Sequence, residues 1–105
     1  MDRETQVMQL IVHAGDARSC AMEALRNARE GDFTQAEEKM QQCEQAMTLA
    51  HQIQADLLEG SFAEGAAVDM LLVHAQDHLT MAILTYDFAL ELIALHRIRY
   101  SQTTT

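Results

Sequence analysis

The chain has 105 residues, a formal net charge of −9, no proline, four glycines and two cysteines. That length fits one domain, spanning residues 1–105, whose core is modest enough for self-association to help it. The charge argues against a nucleic acid or an anionic membrane surface as partner, since both are held by basic patches, and it suits docking on a basic protein face.

With 49% apolar residues, many of them Ala, Leu and Met, the composition predicts an all-α fold. No uninterrupted apolar run is long enough to span a bilayer, and Met1-Asp2-Arg3-Glu4 lacks the pattern of a signal peptide, so a cytoplasmic location is expected. Cys20 and Cys43 fall at core-facing helical positions. They read as small reduced core residues, not as a disulfide or a reactive thiol.

The first helix is expected over about residues 4–29. Val7, Leu10, Ile11, Ala14, Ala17, Ala21, Leu25 and Ala28 recur at alternating spacings of three and four, the seam of a helical bundle. Gly15 inside it costs helix stability and suggests close helix approach, and Arg18 reads as a structural ion pair. Gly31 stops the helix, and Asp32 caps the next, with Gln35 placed for a capping box.

The second helix is expected over about 33–59, with Ala36, Met40, Cys43, Met47, Ala50, Gln54 and Leu57 on its seam; Gly60 to Gly65 form a loop. Gln54 is expected to bond a buried neighbour, and the cleft around His74 is also within its possible reach. The third helix is expected over about 67–97, with the tail 101–105 disordered. Arg97 and Arg99 suit a helix C-terminus. Short connections make the arrangement an antiparallel three-helix bundle.

The third helix is apolar on two sides. One seam is Val68, Leu72, Ala75, Leu79, Ala82, Tyr86, Ala89 and Ile93; the other is Met70, Asp77, Met81, Leu84, Phe88 and Leu95, with Glu91 on the same line. A three-helix monomer covers only one of them, so the second is expected to meet other subunits. Around a threefold axis Asp77 would arrive three times. Two unit charges ~4 Å apart repel by about 4 kcal/mol at an effective dielectric of 20, so such a cluster must bind a cation, take up protons or part the subunits. All-oxygen ligation suits Mg²⁺ better than zinc. The plain alternative is a carboxylate paired with an arginine or a nearby side chain.

His74-Ala75-Gln76-Asp77-His78 is the densest chemistry in the chain. His74 and His78 stand one turn apart on one face, between the two seams, at the edge of the expected subunit contact. A core histidine bonded to a carbonyl is one reading. A zinc-protease helix is excluded, since Ala75 stands where that motif needs Glu. A nucleophilic histidine that accepts a phosphoryl group is another, with His78 bonding its oxygens. No nucleotide-binding loop is present, so another protein would have to supply the phosphoryl. His13, His51 and His96 read as structural or exposed.

Three blocks carry a family resemblance: Gly15-Asp16-Ala17-Arg18-Ser19 with Glu23-Ala24-Leu25, Ala28 and Gly31-Asp32-Phe33; Ala50-His51 with Gln54; and Leu71-Leu72-Val73-His74-Ala75-Gln76-Asp77-His78-Leu79. They resemble the enzyme IIA component of the lactose/cellobiose/chitobiose branch of the bacterial phosphoenolpyruvate-dependent sugar phosphotransferase system, over about Val7 to Leu95. Leu79-Thr80-Met81 departs from the family's common Leu-Met-Thr, a swap that bears on packing.

The resemblance implies a homotrimer of three-helix subunits with active sites in the clefts between neighbours. It implies His74 as the phosphorylated residue, His78 and Gln76 as neighbours of the phosphoryl group, and Asp77 as the axial ligand of Mg²⁺. The implied relay runs from the phosphocarrier protein HPr to His74 and on to a cysteine of the cognate enzyme IIB. The membrane would be touched only indirectly, through enzyme IIC, and the sugar would be a β-linked disaccharide. Leu71, Ala75 and Leu79 are the candidates for an apolar docking ring. The rival readings are a metal-dependent bundle enzyme using His74, Asp77 and His78 within one chain, and a non-catalytic trimeric adaptor.

Overall fold

The computed structural model describes residues 2–64 and 69–103, with side chains at 2–60 and 69–102. Three helices follow in order, α1 (Arg3–Arg29), α2 (Phe33–Glu64) and α3 (Met70–Thr103), with no strand among the described residues. They form a rod with principal extents of 62 × 18 × 16 Å.

Each helix starts where a carboxylate meets free backbone N–H groups. Thr5 N–H donates to Asp2 at 2.7 Å, Gln35 N–H to Asp32 at 3.2 Å and Leu72 N–H to Asp69 at 2.8 Å. The Leu72 N–H and then the Arg3 guanidinium hold the Asp69 carboxyl below the ordinary carboxylate range. The capping box expected at Asp32 is half formed. The Asp32 N–H goes instead to the Asn27 carbonyl at 2.8 Å, closing α1 around Gly31, whose φ is +86°.

Several boundaries differ from expectation. Gly60 does not end α2, which continues through Glu64; residues 65–68, including Val68 of the expected seam, lie outside the described set. A single glycine lowers helix propensity by about 1 kcal/mol, too little to stop a long helix. The third helix begins at Met70, not near Ala67, because Asp69 caps it. It also runs past Arg97 to Thr103, so residues 101–103 of the expected disordered tail are helical.

That last extension is held by tertiary contacts. Tyr100 Oη and the Arg99 guanidinium both donate to the Arg29 carbonyl, at 2.8 and 2.9 Å. The Tyr100 ring meets Phe33 edge-on with centroids 5.7 Å apart, and Arg97 lies over Phe33 while pairing with Glu37. Arg99 thus satisfies the last carbonyl of α1 instead of its own helix end. Gly31 leaves room for the Tyr100 ring, whose nearest atom would be 2.7 Å from an added Cβ.

Arg3 pairs with Asp69 at one end and Arg29 meets Tyr100 at the other, so α1 and α3 run parallel and α2 runs antiparallel to both. The core forms along α1, with Val7, Leu10, Ala14, Ala17, Ala21, Ala24 and Ala28 all fully buried. Alanines at these positions let the helix axes approach closely. By contrast α2 and α3 touch across a groove bridged by Gln54–Gln76, Tyr86–Glu44 and Arg97–Glu37. Gly15 does not mark close helix approach, because a Cβ there would meet nothing within 4 Å. Arg18 is not in any of the three ion pairs among the described residues.

On α3 the first expected seam is the core seam, with Leu72, Ala75, Leu79, Ala82, Ala89 and Ile93 buried and Tyr86 half-buried. The second seam is exposed along its whole described length. Met70, Met81, Leu84, Phe88, Leu95 and Ile98 stand on it, with Phe88 60% exposed. By length and composition alone α3 could cross a membrane, yet its buried line is turned inward on α1.

Candidate functional site

Helical spacing stacks His74 on His78, and the two rings meet edge-to-face, with centroids 4.6 Å apart and planes at 82°. Their Nε2 atoms face each other at 3.1 Å. A hydrogen bond there requires one imidazole to carry the proton on Nε2 and the other to present a lone pair. The arrangement therefore combines a nucleophilic nitrogen with an adjacent N–H donor. A ring nitrogen that accepts a phosphoryl group would have a donor ready for the new oxygens. His74 is exposed and His78 half-buried, so the pair opens to solvent.

The coiled-coil repeat identifies the wall beside it. Leu92 and His96 line a groove with Met22, Leu25 and Arg26 of α1. Because α1 and α3 are parallel, the residues two heptads earlier hold equivalent positions. By that repeat Met8, Ile11 and Val12 are the α1 positions equivalent to the groove wall at the height of His78. Met8 and Val12 are 48% and 55% exposed, so α1 supplies an apolar platform at the height of the histidines. Of the expected ring on α3 only Leu71 reaches the surface. Ala75 and Leu79 belong to the core seam and are buried.

The structure separates the remaining candidates. Gln76 lies on the opposite flank of α3 from His78, since two residues turn a helix by about 200°. There its side-chain oxygen accepts a 2.5 Å hydrogen bond from Gln54 Nε2, across the α2–α3 groove. That groove has a volume of about 290 Å³ and is lined by Gln54, Leu58, Leu72, Val73, Gln76 and Asp77. Gln54 therefore bonds a neighbour, as its seam position suggested, but on the side away from its own chain's histidines.

Asp77 is exposed on the apolar stripe, and no arginine or lysine pairs with it among the described residues. Within one chain no three His, Cys, Asp or Glu side chains come together as metal ligands among the described residues. The donor set for a single-chain transition-metal centre at His74, Asp77 and His78 is therefore not assembled. A lone exposed carboxylate does fit a hard cation if further copies complete the oxygen set.

The platform from α1 was not recognisable in the α3 motif, because it depends on which neighbour helix runs parallel. The thiols stay outside the site. Cys43 is buried, and desolvation lifts its pKa from 9.0 to about 11.

Comparison with known proteins identifies the family. Residues 5–97 match the family model described as the lactose/cellobiose-specific IIA subunit of the phosphotransferase system. The N,N'-diacetylchitobiose-specific EIIA component of Escherichia coli (strain K12) is 46% identical over 94 residues, covering 89% of this chain and 81% of that protein. The lichenan-specific enzyme IIA component of Bacillus subtilis (strain 168) is 38% identical over 96 residues, covering 90% and 87%. Among solved structures, the cellobiose-specific enzyme IIA from Bacillus anthracis superposes with a TM-score of 0.89 at 39% identity, covering 96% of this chain and 94% of that one. The Escherichia coli IIA(chitobiose) solved in complex with HPr superposes with a TM-score of 0.85 at 42% identity, covering 95% and 98%. With the family model spanning most of the chain and the fold shared end to end, this protein belongs to the lactose/cellobiose-specific IIA family of the sugar phosphotransferase system.

Proposed function

We propose that this protein relays a phosphoryl group from HPr through His74 to a cysteine of its cognate enzyme IIB, serving uptake of a chitobiose- or cellobiose-type sugar. The carrying observation is the Nε2–Nε2 contact of His74 and His78 on an exposed helix face. In the transfer, the lone pair of His74 Nε2 forms a new P–N bond as the donor's P–N bond breaks and its electron pair returns to the donor imidazole. The His78 N–H then turns from His74 to a phosphoryl oxygen, so charge is met by a donor already in place. The HPr complex of a relative at 42% identity supports the donor. The apolar platform of Met8, Val12 and Leu71 suits a protein partner and would exclude water from the labile P–N bond. A cytoplasmic location follows from carriers of this kind.

The working form in this reading is a homotrimer built on the exposed stripe of α3. From Met70 through Ile98 the stripe keeps coiled-coil spacing, as a parallel assembly needs. Rotation about such an axis turns one subunit's histidine flank toward the next subunit's α2–α3 groove at the same height, which brings Gln76 of the neighbour to the phosphoryl. Asp77 of the three chains would hold a Mg²⁺ ion, whose charge would neutralise the carboxylates; the ion enters no transfer step.

Intact-mass spectrometry after incubation with phosphoenolpyruvate, enzyme I and HPr tests the relay. The expected result is one acid-labile phosphoryl per chain, lost in His74→Ala with the fold retained. Phosphorylation of His74→Ala to the same level would end the assignment.

A further inference from the structure

The Gln54–Gln76 contact carries an inference about the relay site that depends on the reading above. A glutamine amide has two edges, an acceptor oxygen and a donor NH₂, and a half-turn of the terminal torsion exchanges them. Phosphoryl oxygens only accept. An amide that turned its oxygen toward them would place two acceptors face to face, so the orientation of Gln76 decides whether it helps or hinders. Within its own chain the Gln76 oxygen is met from α2. Gln54 Nε2 donates to Gln76 Oε1 at 2.5 Å, and both side chains are half-buried. Leu58, Leu72 and Val73 line the same groove and offer no competing side-chain bond. Asp77 also lines it, but no hydrogen bond joins it to Gln76 among the described residues. No hydrogen-bond acceptor for the Gln76 NH₂ is found among the described residues.

We propose that Gln54 is a positioning residue for phosphoryl transfer: by donating to the Gln76 oxygen it leaves the Gln76 NH₂ as the edge presented to the phosphoryl group on the neighbouring subunit's His74. Gln54 touches neither the phosphoryl nor the histidines. It acts through Gln76, from the α2–α3 groove of one subunit, on chemistry in the next.

A double-mutant cycle tests this, with the rate of phosphoryl uptake from phospho-HPr and the half-life of the phosphorylated protein in buffer as readouts. The trimer reading is followed separately by light scattering. Gln54→Met keeps length but cannot donate, and Gln76→Ala removes the amide; each is expected to slow uptake about tenfold. The double variant should be no slower than Gln76→Ala alone, because Gln54 has no other route to the reaction. Gln54→Glu, whose carboxylate draws the Gln76 NH₂ back toward α2, should be slower than Gln54→Met. If Gln54→Met proves unstable, the Gln54→Glu comparison, alone and in the Gln76→Ala background, carries the same test. Wild-type rates in a folded Gln54→Met, or losses that multiply in the double variant, overturn the proposal and leave the relay intact. Absence of phosphoryl uptake by the unmutated protein overturns both.

Discussion

The two apolar faces of α3 share their helical spacing but have opposite fates. Leu72, Ala75, Leu79, Ala82, Ala89 and Ile93 are sealed against the bundle, while Met70, Met81, Leu84, Phe88, Leu95 and Ile98 stand in solvent. The buried face is rich in alanine, which lets α1 approach closely; the exposed face is built of larger side chains able to interdigitate with copies of themselves. Apolar periodicity therefore marks both faces alike, and only the structure shows which of them the bundle covers. The chemistry lies on the border between the faces. His74 and His78 are carried by a helix made rigid on one side and left open on the other, which suits the proposed relay, where the group must be both accurately placed and reachable.

Substitutions on the two faces should separate them. Leu79→Ala on the sealed face should cost about 2–5 kcal/mol, since it opens a cavity in a core that cannot collapse fully. Denaturant unfolding followed by helical circular dichroism would read this, and the loss should be the same at every protein concentration. Leu84→Lys on the open face should leave helicity in place but abolish self-association. The wild type should show a midpoint that rises with concentration, and the variant should not. A wild type whose midpoint is independent of concentration, with monomer mass by light scattering, would remove the second face as an interface.

Smaller effects sharpen the contrast at the ends of the molecule. Tyr100→Phe removes one hydrogen bond to the Arg29 carbonyl and should cost about 1 kcal/mol, with hydrogen exchange speeding first over residues 98–103. Uniform loss of protection along α3 would contradict a local clamp. Smallest is the thiol effect. Burial raises Cys43 from 9.0 to about 11, so its neutral form contributes stability in full below the unfolded value, lost as pH rises through about 11. Maleimide labelling at pH 9 should therefore modify Cys20 well before Cys43. Equal rates would place Cys43 outside the core.

Much of this molecule was legible before its structure. The seams of all three helices follow from heptad spacing, which needs only the geometry of a helix and the aversion of apolar groups to water. The motif from His74 to His78 likewise places two imidazoles on one face by spacing alone. What sequence misjudged were ends and neighbours. Gly60 looked like a stop because isolated propensity was weighed, whereas the helix around it continues. The last turn of α3 looked disordered because its partners, Arg29 and Phe33, lie far away in sequence.

Sequence by itself determined most of the buried seam of each helix, that α3 is apolar on two faces, and that two imidazoles share a face one turn apart. Only the tertiary structure decided that α1 runs parallel beside α3 and that Gln76 turns away from the histidines toward Gln54. The reason is physical: periodicity is a local property of one helix, while the choice of neighbour and flank depends on packing between segments distant in the chain.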